Sequence, residues 1–271
     1  MIEGAPMPHS IARFLEPGRC ESVLASINDF IDAHYTAADI RARRAYVFEY
    51  GLDMEAFAFP IHAPGSPETD HLPGFRLEEI PADVAHLTEK AIAALGLERG
   101  RVLWNVGRYA AHADSLPAHH DGELFEFDAD PVGGTVVHSG IRPREVALLT
   151  LRNETAGCQT TLHDEEGKIL EMHSAIGDLM CFDNVAYQHG VPATGPNRCV
   201  PEAEAAGRWV RFTTGWRSMH EGFDWRDGQP LRPIGFEESV RLHDDFLAKK
   251  WPALAEADVA RATLPFPRRY V

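Results

Sequence analysis

The chain has 271 residues, 44% hydrophobic and 25% charged, which is enough apolar content for a substantial core. Its net charge is −15, and no run of Lys and Arg offers the basic face that a nucleic-acid binder needs. No apolar stretch approaches the roughly 18 residues of a membrane span, and the opening "MIEGAPMPHSIARF" lacks the basic-then-apolar order of a secretory signal. The expectation is a cytoplasmic protein that works without nucleic acid or membrane, its oligomeric state unread. The four cysteines, Cys20, Cys158, Cys181 and Cys199, form no C-x-x-C pair, so buried thiols are expected rather than a zinc knuckle.

Residues 19–34 place Val23, Leu24, Ile27, Phe30 and Ile31 at helical spacing. "RAYVFEYG" (44–51) reads as a strand, with the short basic cluster "RARRAY" (41–46) at its entrance, and "HAPGSPETDHLPG" (62–74) reads as a loop. "PADVAHLTEKAIAALG" (81–96) is a helix with proline near its start and glycine at its end. From 101 to 217 the texture changes to short strands between turns: "RVLWNVGRY", "LPAHHDG", "EVALLTLRN", "QTTLHD", "KILEMH", "DLMCFDN" and "RWVRFTTGW". Between them, 126–145 is a long glycine-containing polar stretch suited to a lid, with Arg142 and Arg144 as cations for an anionic substrate group. Residues 235–263 return to a helical pattern.

The order predicts one mainly-β domain with flanking helices. Residues 1–100 form a mixed helical support, 101–217 a jelly-roll core of cupin type, and 218–271 a C-terminal helical extension.

Three His-x-Asp pairs occur, His112/Asp114, His119/Asp121 and His243/Asp245, where chance alone gives about one, so context must choose. His243 and Asp245 sit in a helical pattern, where i and i+2 do not share a face. His112 and Asp114 lie in a turn. His119 and Asp121 lie on a strand, so both point one way while His120 points away or supports the site from behind. Among later histidines, His138 and His163 read as loop residues. His189 follows the apolar strand of "AIGDLMCFDNVAYQ" and is the expected partner. Two imidazoles and one carboxylate make a facial triad with open positions, the donor set of non-haem Fe(II).

Residues 108–121, "RYAAHADSLPAHHD", with "GDLMCFDNVAYQHGVP" and "RWVRFTTGW", resemble the Fe(II)/2-oxoglutarate-dependent dioxygenases, most closely the bacterial branch that hydroxylates free amino acids. The resemblance implies a double-stranded β-helix and the cofactors Fe(II) and 2-oxoglutarate. It also implies O₂ and a small molecule as partners, and hydroxylation with release of succinate and CO₂. His119, Asp121 and His189 match the metal positions. Asp121 argues against the halogenating relatives, which replace the carboxylate.

Such a site needs a cation for the distal carboxylate of 2-oxoglutarate, and arginine suits it by bidentate geometry. On "RWVRFTTGWR", one face carries Arg208, Val210, Phe212, Thr214 and Trp216; the other carries Trp209, Arg211, Thr213, Gly215 and Arg217. The first is apolar with a single cation, as expected for a barrel interior, and Arg208 matches the family position. Arg211 with Thr213 is the alternative. Tyr109, and less so Asn105, are candidates to touch 2-oxoglutarate. Glu123 is a candidate for the substrate entrance. Two other readings stay open: a cupin-like metal- or sugar-binding module, and a Zn(II)-dependent hydrolase on the same ligands.

Overall fold

The computed structural model describes residues 8–35, 54–62, 75–96, 101–109, 116–121, 123–129, 136–154, 160–170, 175–191, 209–218, 222–226 and 230–235, with Glu238 and Arg241. The helix expected over 19–34 is α1 (Cys20–His34), and its buried face is Val23, Leu24, Ile27, Phe30 and Ile31. The second is α2 (Ala82–Ala94), burying Val84, Leu87, Thr88, Ala91 and Ile92.

Fourteen strands are described: β1 (His9–Ile11), β2 (Met54–His62), β3 (Arg101–Tyr109), β4 (Leu116–His119), β5 (Glu123–Ala129), β6 (Val136–Pro143), β7 (Glu145–Asn153), β8 (Thr161–His163), β9 (Ile169–Leu170), β10 (Leu179–Asp183), β11 (Gln188–Val191), β12 (Arg211–Ser218), β13 (Gly222–Arg226) and β14 (Arg232–Ile234). They form a major sheet in the order β1-β10-β7-β12-β3-β2 and a minor sheet in the order β4-β11-β8-β9. The chain alternates between the two: β3 major, β4 minor, β7 major, β8 and β9 minor, β10 major, β11 minor, β12 major. Eight antiparallel strands wound in this way are a jelly roll, the double-stranded β-helix.

The major sheet is buried on both faces. On its outer face Phe57, Phe59, Ile61, Val102, Trp104, Val106, Ala147, Leu149, Phe212 and Trp216 pack with α1 and α2 in one core. The Trp216 indole donates to Thr88 Oγ1 of α2 at 2.9 Å, and Trp104 donates to Thr214 Oγ1 at 2.7 Å. Arg108 shares this face, held by Glu55 at 2.5 Å and Asn28 at 2.9 Å. The inner face carries a smaller cluster of Val146, Leu162, Met180 and Phe182, contributed by both sheets.

Several expectations shift. The strand expected at 44–51 lies outside the described residues, and β2 follows it at Met54–His62. Pro60 argues against a strand there, yet β2 is the sheet edge, where a missing N–H is tolerated. The stretch 126–145 is not a loop over most of its length. β5 and β6 pair, and β6 pairs with β13, giving a third sheet in the order β14-β13-β6-β5. So the first part of the expected helical extension is strand, because β13 completes the hydrogen bonding of the inserted hairpin. Beyond it, Glu238 and Arg241 are helical and the rest of 236–263 lies outside the described residues. Cys20 and Cys181 are buried free thiols, and burial raises both to about 11. Among the described residues no helix is long and apolar enough to cross a membrane.

Candidate metal centre

β4 and β11 are adjacent in the minor sheet, and His119 and His189 are directly opposed across the pair. The pairing shifts between His189 and Val191, an irregularity of the kind that re-aims side chains beside sites. The two imidazoles lie with ring centroids 4.3 Å apart. Asp121 follows β4 and turns its Oδ1 to 3.7 Å from Nε2 of both histidines. The three donor atoms all lie within 4.8 Å of one another, and among the described residues this is the group that can hold a metal ion. Asp121 and His189 are each 5% exposed, whereas the His119 side chain is 36% exposed, so the cluster opens to solvent on the His119 side.

The electrostatics suit a cation. Burial alone would raise the Asp121 carboxyl, but the adjacent Arg217 guanidinium outweighs it and holds the group well below the usual carboxylate range. It is an anion at neutral pH. Burial lowers His189 to about 3, against the pull of Asp121, so its imidazole is neutral and its ring nitrogen is free to donate a lone pair. Phe182 packs on the His189 ring, centroids 5.3 Å apart, and with Val146, Leu162 and Met180 makes an apolar floor. Among described atoms His189 Nδ1 is buried with no hydrogen-bond partner. The donor set, two imidazoles and a carboxylate with one side open, fits a divalent metal of the Fe(II) type.

Arg217 was not picked out from the sequence as part of the site. Its Nε donates to Asp121 Oδ2 at 2.9 Å and its second nitrogen reaches Oδ1 at 2.8 Å, a bidentate pair. Arg217 comes from the odd-numbered face of β12, so that face, with Arg211, Thr213 and Gly215, looks into the barrel. The even-numbered face, with Phe212, Thr214 and Trp216, packs on the helices. The expectation that the Phe212 and Trp216 face looks into the barrel is therefore corrected, while Arg208 itself lies outside the described residues. The reason is that both faces of a major-sheet strand are buried, and the helical layer takes the more apolar one.

Arg211 is 6% exposed, donates to Thr160 Oγ1 at 2.6 Å and lies over the Tyr109 ring at 4.9 Å. Arg211 and Tyr109 are register partners, as are Thr213 and Thr150. So three of the sequence candidates, Arg211, Thr213 and Tyr109, fall together on the inner face. Asn105 shares that face opposite Gly215 but turns its amide to the Leu103 carbonyl at 2.8 Å.

His120 supports the site from behind. Its Nδ1 donates to the Asn184 carbonyl at 2.6 Å. Burial, then the nearby Arg142 charge, lowers it from the usual histidine range and keeps it neutral. Arg144, one of the two cations considered for substrate, instead pairs with Asp183 Oδ2 at 3.1 Å. The other oxygen of Asp183 caps the turn after β10 through the Val185 and Ala186 amides, at 2.8 and 3.3 Å. His112, Asp114, His243 and Asp245, the alternative pairs, lie outside the described residues, as does the side chain of Glu123.

No family model and no curated protein matches the chain. Among solved structures, it is similar to a Pseudomonas putida prolyl-4-hydroxylase, 18% identical over 78% of this chain and 91% of that one, TM-score 0.40. It is similar to the viral collagen prolyl hydroxylase of Paramecium bursaria Chlorella virus-1 in its 2-oxoglutarate complex, 12% identical over 80% and 98%, TM-score 0.40. A third is HygX from Streptomyces hygroscopicus with nickel and 2-oxoglutarate bound, 11% identical over 78% and 82%, TM-score 0.39.

Proposed function

We propose that this chain is an Fe(II)- and 2-oxoglutarate-dependent oxygenase that hydroxylates an unactivated C–H of a free amino acid or a small natural-product intermediate. The observation that carries the proposal is the convergence of His119, Asp121 and His189, donor atoms within 4.8 Å, at the open mouth of a jelly roll. In this reading the three side chains hold the metal, with His189 neutral and Asp121 anionic before it arrives. Iron and 2-oxoglutarate, when bound, would supply the activation of O₂ and two of the four electrons that its reduction needs, the substrate C–H supplying the other two. Overall, substrate C–H, O₂ and 2-oxoglutarate give C–OH, succinate and CO₂.

The protein contributes binding, orientation and exclusion of water. Arg211 is the cation for the distal carboxylate of 2-oxoglutarate, with Thr213 and Tyr109 beside it. Its guanidinium is buried, so a carboxylate reaching it is bound in a low-dielectric setting where the pair is strong. Arg217 holds Asp121 by both oxygens and keeps it ionised. The apolar floor of Phe182, Leu162 and Met180 keeps water from below the metal position. A sugar-binding cupin or a zinc hydrolase has no use for Arg211.

Anaerobic addition of Fe(II) and 2-oxoglutarate tests this directly. A weak visible charge-transfer band of the chelate is expected, with uncoupled succinate formation on admitting O₂, and Asp121→Ala should abolish both. No band and no succinate would reject the proposal. The same band with wild-type turnover in Asp121→Ala would move the metal elsewhere.

A further inference from the structure

Asn184 is fully buried and lies 63 residues from Asp121 in sequence, yet its side-chain amide is paired with the Asp121 backbone in both directions. Asn184 Oδ1 accepts the Asp121 N–H at 2.6 Å, and Asn184 Nδ2 donates to the Asp121 carbonyl at 2.8 Å. The second Nδ2 hydrogen goes to the Pro143 carbonyl at 2.8 Å. The Asn184 backbone is held as well: its N–H donates to the Arg144 carbonyl at 2.7 Å, and its carbonyl accepts from His120. One amide thus ties three segments together: the end of β4, the junction of β6 and β7, and the turn between β10 and β11.

We infer that Asn184 is the positioning residue of the metal site, fixing the Asp121 backbone so that Oδ1 points between the two imidazoles. The inference rests on the metal reading above. Asp121 lies beyond the last residue of β4, so the ladder of the minor sheet does not set its backbone. The Asn184 amide supplies the missing ladder partner, matching one donor and one acceptor on the same residue. The link to Pro143 joins the third sheet to the same point, so a shift of that sheet is felt at Asp121.

Asn184→Asp is the sharpest test, because it keeps the shape and the acceptor for the Asp121 N–H but replaces the donor to two carbonyls with a second acceptor. Mn(II) and Co(II) affinities are measured on folded protein, with the Co(II) visible spectrum as a report of ligand geometry. The variant is expected to bind both ions 10- to 100-fold more weakly, roughly the effect of losing an outer-shell partner, with an altered Co(II) spectrum. Ile27→Val, which loosens the helical core far from the site, should leave both readouts unchanged. Wild-type affinity and spectrum in Asn184→Asp would overturn the inference, whereas a wild-type protein that binds neither ion would overturn the metal reading instead. If Asn184→Asp does not fold, amide exchange in the metal-free wild type decides. The Asp121 amide should be strongly protected although it follows the strand end, and rapid exchange there would refute the clamp.

Discussion

Replacing Arg217 with leucine removes both hydrogen bonds to Asp121 and leaves a carboxylate only 5% exposed without its cation. Unit charges 4 Å apart interact by about 4 kcal/mol at an effective dielectric constant of 20, and breaking a buried pair typically costs about 3–5 kcal/mol. The Arg217 side chain keeps 18% of its exposure, so part of that interaction is screened, and about 3 kcal/mol is expected for the metal-free protein. For a chain of this size that is about 6–10 °C in melting temperature. The pH dependence follows from Asp121, whose folded pKa is depressed. A depressed carboxyl adds stability above its unfolded pKa, near 3.9, and loses it as pH falls through the folded value. Without Arg217 the burial of Asp121 loses its main opposing charge, its pKa rises, and the acid limb of the stability curve moves to higher pH. Saturating Mn(II) should recover most of the loss, since the ion replaces the missing positive charge and binds only the folded state. Thermal melts in EDTA from pH 2 to 8, and in Mn(II) near neutral pH, make the comparison. A metal-free variant as stable as wild type, or an unmoved acid limb, would refute the account of Asp121 as an anion held by Arg217.

Three further perturbations follow from the same geometry. His189 is depressed to about 3 when folded and near 6.5 when unfolded, so its contribution is complete above pH 6.5 and lost as pH falls toward 3; urea unfolding of the metal-free protein should show about 2 kcal/mol of this loss by pH 5, and His189→Gln should abolish it. Arg211→Met should raise the 2-oxoglutarate concentration needed for succinate formation by at least about tenfold while Mn(II) affinity stays within twofold, in line with the strength of a charge-assisted bidentate pair; equal losses in both would place Arg211 in the structure rather than in cosubstrate binding. A Cβ at Gly215 would lie 2.7 Å from the Ala147 carbonyl oxygen and 2.8 Å from Leu148 Cδ2, so Gly215→Ala should destabilise by about 1–3 kcal/mol in chemical denaturation, and a neutral result would show that β12 and β7 can separate freely.

The candidate metal cluster was legible from a local rule and one distant match. Strand alternation suggests grouping His119 with Asp121 apart from His120, and an apolar strand followed by a turn delivers His189, although Asp121 itself lies just past the end of β4. The choice of the interior face of β12 failed for a reason equally physical. Alternation correctly divided β12 into two faces, but apolarity does not mark the barrel interior when a helical layer covers the other side. Phe212 and Trp216 pack against α1 and α2, whereas the interior is lined by Arg211, Thr213 and Arg217. In a strand buried on both faces, the more polar face is the better candidate for the site, since buried charge is tolerated only where it is paired or used. Asn184 was illegible for a third reason. Its partners are backbone atoms far away in sequence, so no periodicity or motif spacing encodes them, and only the folded arrangement of the end of β4, the junction of β6 and β7, and the turn after β10 brings them within reach of one amide.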